Sequence, residues 1–213
     1  MEYESLLKDS LHGDLKAIER IRNIVNQAET DSELAIKFFE FYNKYSSNNC
    51  YAQYFVGKFH LEGFGTKENV VEGVKYAQLS SHEGFSGGYN LLGNCYENGD
   101  CLMESDTEAF KLYSKASSMG FHGAYNNMAR SHEFGIGTPI NHTLAWKWYI
   151  KSLSSDDPES LQEFKNFLTR TPNYLELITD ELISQQALIE KLDSQTELIN
   201  NLLGQLSLLT VAI

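Results

Sequence analysis

The sequence is poor in basic residues: 17 lysines and arginines stand against 29 aspartates and glutamates, a formal charge of -12 over 213 residues. Such a chain repels nucleic-acid backbones and anionic membrane surfaces, so no nucleic-acid partner is expected. Long apolar runs are also missing. The longest, "LSLLTVAI" near the C-terminus, falls well short of the roughly 18 residues that a spanning helix needs, so no membrane span is expected. The opening "MEYESLLKDSLHGD" carries early acids and no basic start ahead of an apolar stretch, which predicts no secretory leader. Cysteine is scarce and odd in number: Cys50, Cys95 and Cys101 do not compose a disulfide framework, although a Cys95 to Cys101 pairing stays open. A reducing, cytoplasmic setting is the expectation. Disorder is not, because 42% of the chain is hydrophobic.

What the sequence does have is a repeat. "HLEGFGT" at 60–66 and "HEFGIGT" at 132–138 lie 72 residues apart, and "YENGDCL" at 96–102 stands half-way between them, so the period is 36. Three units align without gaps over residues 50–85, 86–121 and 122–157. Corresponding positions share size more than chemistry. Ala52, Gly88 and Ala124 are small, as are Gly57, Gly93 and Ala129; His60, Tyr96 and His132 are flat rings; Gly63, Gly99 and Gly135 are identical. Small residues let two backbones approach, and a ring fills the space beside them.

Each unit reads as two helices. Ala124, Met128, Ala129 and His132 recur at helical spacing in the first, and Ala145, Trp148, Tyr149 and Ser152 in the second. Gly63 and Gly135 suit a left-handed helix end, while Asn69, Ser105 or Asp106, and Asn141 suit the N-cap of the helix that follows. Pro139 fits the same turn. A helix, turn and helix at this period mark an α-solenoid, in which each unit buries its apolar face against its neighbours.

The pattern resembles the Sel-one-like repeat family, a branch of the tetratricopeptide-like solenoids. The resemblance is carried by "GYNLLGNCYENGDC" at 88–101 for the first helix and turn, and by "AFKLYSKA" at 109–116 and "AWKWYIKS" at 145–152 for the second helix. It implies an all-α, right-handed solenoid of helix-turn-helix repeats. Three departures stand out: Gly73 replaces an alanine, Cys101 the second turn glycine, and Asp156 the closing glycine of the last unit. They predict an irregular middle turn and a solenoid that ends near 157.

Outside the units, "GDLKAIERIRNIVNQA" and "DSELAIKFFEFYNKY" carry helical patterns without the signature glycines. Residues 1–49 therefore read as a degenerate helical pair capping one end, with Asp31 as N-cap of its second helix. "DDPESLQEFKNFLTR" places Pro158 in a first helical turn, and residues 158–172 read as the cap of the other end. From 173 to 213 the apolar residues follow a heptad. Leu175, Leu182, Ile189 and Leu203 hold one core position, and Ile178, Leu192, Ile199, Leu206 and Ile213 the other. Leu188, Leu202 and Leu209 widen that stripe, which predicts a coiled coil of three or more chains, with Gln185 setting register. Back-packing on the solenoid and capture of another protein are the alternatives.

No chemistry is legible in these motifs. The glycine loops follow helices, whereas a phosphate cradle needs a loop that follows a strand and opens a helix. His60 and His132 occupy one repeat position two units apart and so do not converge on a metal, and Cys95 and Cys101 lack metal-ligand spacing. No serine elbow or kinase-like set is present, and Asp180 and Glu181 diverge on their helix. Neither an enzyme nor a cofactor is expected. The resemblance implies a protein–protein interaction scaffold whose first helices line a concave face. Carried over unit by unit, that face holds Tyr54, Lys58 and Glu62, then Asn90, Asn94 and Asn98, then Asn126, Arg130 and Phe134. The expected partner is a protein or peptide, and the expected form is a homo-oligomeric adaptor. A structural assembly subunit joined by its C-terminal helix is the second reading.

Overall fold

A computed structural model describes residues 3–30, 32–154 and 158–171. The described residues form ten helices and no strands. In chain order they are α1 (Glu4–Leu11), α2 (Leu15–Gln27), α3 (Glu33–Tyr45), α4 (Cys50–Glu62), α5 (Val70–His82), α6 (Ser86–Asn98), α7 (Asp106–Ser118), α8 (Gly123–Phe134), α9 (His142–Ser152) and α10 (Pro158–Arg170). One compact unit spans residues 1–167. The heptad segment 173–213 lies outside the described residues, as do Asp31 and Asp156.

The pairs α4/α5, α6/α7 and α8/α9 are the three units, and each is closed by the same turn chemistry. Gly63, Gly99 and Gly135 end the first helices in the left-handed region, at φ 67°, 72° and 78°. The next helix then starts on a side-chain cap: Asn69 accepts from the Glu72 amide, Ser105 from Glu108 and Asn141 from Leu144. The cap of α7 is thus Ser105 and not Asp106. The ring position closes the loop through its backbone, because the carbonyls of His60, Tyr96 and His132 accept from the amides of Asn69, Ser105 and Asn141.

Packing explains the small residues. A Cβ on Gly88 would lie 2.5 Å from the Ser81 amide nitrogen, and one on Gly93 would lie 2.5 Å from the Tyr113 ring. Ala52, Ala124 and Ala129 are fully buried. Gly73, the first departure from the family pattern, leaves room for Leu61, whose Cγ would sit 2.6 Å from an added Cβ. Cys101, the second, holds φ 50°. The middle turn therefore keeps the left-handed backbone of its glycine counterparts instead of breaking it. All three cysteines are free thiols, with Cys95 buried and Cys101 exposed.

The N-terminal region carries three helices where the sequence pattern shows two. The extra one, α1, meets α3 through a Ser10 Oγ to Tyr42 hydroxyl contact of 2.7 Å and an edge-on Tyr3–Phe38 ring pair at 5.8 Å. It meets α4 through Asn49, whose amide donates to the Leu11 carbonyl while its oxygen caps Ala52. Ser32, next to Asp31, caps α3 by accepting from the Ala35 amide. Among the described residues no helix is long and apolar enough to cross a membrane.

Candidate functional site

The first helices of the units turn one face toward a cavity of about 540 Å³. Tyr54, Lys58 and Glu62 of α4, Asn90, Leu91 and Asn94 of α6, and Gly123, Asn126 and Asn127 of α8 line it. Its remaining walls come from Arg22, Val25 and Asn26 of α2, from Ala28, Thr30 and Phe64, and from Glu159 of α10. The volume lies in the range of sites that enclose a ligand or a short stretch of chain.

The α2 wall is fixed. Ile18, Ile21 and Val25 are 0–3% exposed and belong to the main core. Full burial of three aliphatic side chains stabilises by roughly 5–9 kcal/mol, so this helix does not lift away at thermal energies. Side chains also join it to the corner between α7 and α8. The Arg22 guanidinium lies 5.2 Å over the Phe121 ring, and both carboxylate oxygens of Glu19 sit 3.0 Å from His122 Nδ1.

Charge in the cavity is mixed. Lys58 pairs with Glu62 one helical turn on, whereas Arg22 forms no ion pair among the described residues. Tyr54 is 2% exposed, and burial pushes its phenol up to about 12 against a smaller opposing pull from Arg22. It stays neutral.

Side-chain amides are the largest single group in the polar lining, with Asn26, Asn90, Asn94, Asn126 and Asn127. Asn127 Nδ2 donates to Asn90 Oδ1 at 3.0 Å and to Asn94 Oδ1 at 3.1 Å, linking α8 to α6. Asn126 Nδ2 donates to Ser160 Oγ at 2.9 Å, while its Oδ1 is buried without a partner among the described residues. Asn90 is 8% exposed, and its amide nitrogen has no partner among them. A side-chain amide offers one donor edge and one acceptor edge, the same pair that a peptide group presents.

Of the nine concave-face residues expected from sequence, six line this cavity: Tyr54, Lys58, Glu62, Asn90, Asn94 and Asn126. Asn98 lines a smaller neighbouring cavity. Arg130 is instead drawn to α6, where it donates to Glu97 at 2.8 Å. Phe134 ends α8 at 51% exposure, away from both cavities. The α2 and α10 walls are absent from that expectation. One signal for α2 is in the sequence, because a step of 36 residues back from Lys58 and Glu62 lands on Arg22 and Asn26.

The repeats themselves decide the family. The chain matches the Sel1 repeat three times, over residues 50–85, 86–121 and 122–157, which is just over half of its length. It belongs to the Sel1 repeat family. Sel1 repeat proteins typically mediate protein–protein interaction, and their fold is generally a non-catalytic scaffold. Among solved structures, a Sel1 repeat protein from Oxalobacter formigenes is similar with a TM-score of 0.52 and 18% identity, over 72% of this chain and 63% of that one. A protective antigen of uropathogenic Escherichia coli strains that displays an SLR fold is similar with a TM-score of 0.50 and 20% identity, over 78% of this chain and 36% of that one. At such identities the likeness is one of fold. This chain therefore spans less than two thirds of the length of either. No curated protein matches the sequence.

Proposed function

We propose that this Sel1 repeat protein is a non-enzymatic adaptor that holds an extended segment of a protein partner in the cavity between α2, α4, α6 and α8. The observation that carries the reading is the set of asparagines on α6 and α8. Asn90 and Asn126 each leave one amide edge unmatched, and the main chain of an extended segment supplies donors and acceptors of the same kind. Recognition through main-chain groups tolerates varied side chains, so a scaffold of this sort accepts a class of partner sequence.

The heptad in 173–213 extends the proposal: three or more chains associate through it in a cytoplasmic oligomer. Joining several modest sites raises effective concentration, so weak single contacts add up to firm attachment. The second reading keeps the heptad as the main contact and makes the solenoid a spacer.

A selection from a random peptide library on the immobilised full chain tests the proposal. Recovered peptides are expected to lose binding to a Lys58→Glu, Asn126→Ala variant whose helical content and elution volume are unchanged. Retained binding by that variant would remove the cavity from the function and favour the assembly reading.

A further inference from the structure

Beside the main cavity, and sharing Glu62, Leu91 and Asn94 with it, lies a recess of about 230 Å³. Its lining divides by chemistry. Leu61, Val70 and Leu91 give a small apolar patch, and the larger polar part comes from Asn94, Asn98 and the carboxylates of Glu62, Glu68 and Asp100. Lys58 engages Glu62. Glu68 and Asp100 form no ion pair among the described residues, and Asp100 receives only a 3.3 Å hydrogen bond from Asn98 Nδ2.

The recess lies beside a departure from the repeat pattern. Gly65 and Gly137, one period to either side, take φ 64° and 66°, and a Cβ on either would collide with a backbone carbonyl, that of Ala35 or of Asp106. These two turns therefore press directly on the start of the preceding second helix. Cys101 holds the same left-handed backbone but carries a Cβ, so the middle turn has no such approach open to it. The stretch one period from Ala35 and Asp106 is Val70–Val71, and Val70 is a wall of the recess. Val70 and Asp100, the neighbour of Cys101, both line the recess.

A mainly polar recess that sets carboxylates without an ion-pair partner beside a small apolar patch complements one kind of side chain. The methylene stem of a lysine or arginine lies along apolar surface while its charged head reaches carboxylates. We infer that the recess is a specificity pocket for a lysine or arginine side chain of the segment held in the main cavity. The inference rests on the groove reading above and adds the partner's chemistry to it. The shared wall at Asn94 and Leu91 places the basic side chain beside main chain held by the asparagines. The nearby Asn90, more than nine-tenths buried, keeps an amide nitrogen that a carbonyl of the same segment would satisfy. The formal charge of -12 acts in the same direction, by steering a basic segment toward the protein.

The same peptide selection, followed by titration of one recovered peptide, tests the pocket. Recovered peptides are expected to carry lysine or arginine at one fixed position. A Glu68→Gln, Asp100→Asn variant should bind such a peptide about tenfold more weakly or worse, the scale of one close charge pair. A norleucine at the basic position should bind wild type and variant alike. Peptides recovered without a basic residue, or a variant that binds the basic peptide unchanged, would overturn the pocket and leave the groove standing. Recovery of no peptide, or full binding to the Lys58→Glu, Asn126→Ala variant, would bring down the groove and the pocket with it.

Discussion

The hydroxyl of Tyr113 donates to the Glu97 carboxylate across 2.7 Å, and 36 residues later Tyr149 donates to Glu133 across the same distance. In both units a tyrosine of the second helix is tied to a glutamate of the first. In the first unit the corresponding residues are Ala77 and Leu61, an apolar pair. Glu97 also accepts from Arg130 of α8, so the Tyr113 contact belongs to a chain that joins two units.

That chain makes the first prediction. Burial pushes the Tyr113 phenol far above its ordinary value and the Glu97 charge pushes it further, so the hydroxyl remains a donor at every accessible pH. Tyr113→Phe removes the donor and leaves a mostly buried carboxylate with one partner fewer. The expected loss is about 1–3 kcal/mol in equilibrium urea unfolding. An unchanged midpoint would mean that Arg130 alone satisfies Glu97.

Two glycines separate backbone strain from collision. Gly84 has φ 85° with nothing within 4 Å of an added Cβ, while Gly65 has φ 64° and the Ala35 carbonyl in the way. Gly84→Ala is expected to cost about 1–2 kcal/mol, the left-handed penalty alone. Gly65→Ala should cost more, on the order of 3–5 kcal/mol, because the turn must also move off α3. Equal losses in the two urea transitions would show that the close approach adds nothing.

The turns were legible because their signals are local. Gly63, Gly99 and Gly135 need no partner to favour a left-handed helix end, and Asn69, Ser105 and Asn141 cap through amides three residues away. Contacts between distant segments left weaker traces. The eight residues of α1 bury only Leu7 and Ser10, too few to set a period. Arg130 shares its repeat position with Lys58 and Asn94, and what takes it out of the groove is Glu97, 33 residues earlier. The walls from α2 and α10 depend on how the chain curves, which the spacing of apolar residues does not report.

His132 yields a pH prediction. The residue is 7% exposed, its Nδ1 has no hydrogen-bond partner among the described residues, and burial pushes its imidazole below the ordinary value. The folded protein therefore holds it neutral, while the unfolded chain protonates it near pH ~6.5. Its contribution is complete above that value and is lost as pH falls through it toward the lower folded value. His132→Tyr, which copies Tyr96 at the matching position, should shrink the drop in stability between pH 7.5 and 5.5. The same drop in both proteins would assign it to other groups.

The heptad in 173–213 is tested by mass. Its stripe is wider than two strands hide, so the full chain is expected to run as a trimer or larger in light scattering after size exclusion, and a chain stopped at residue 171 as a monomer. The shortened chain keeps residues 1–167, which form a compact unit by themselves, so a loss of assembly would not follow from a loss of fold. Helical content measured on both proteins checks that point. If the two masses match one chain each, the apolar stripe is covered within the chain or by another protein, and the segment from 173 onward becomes the bait with which to find it.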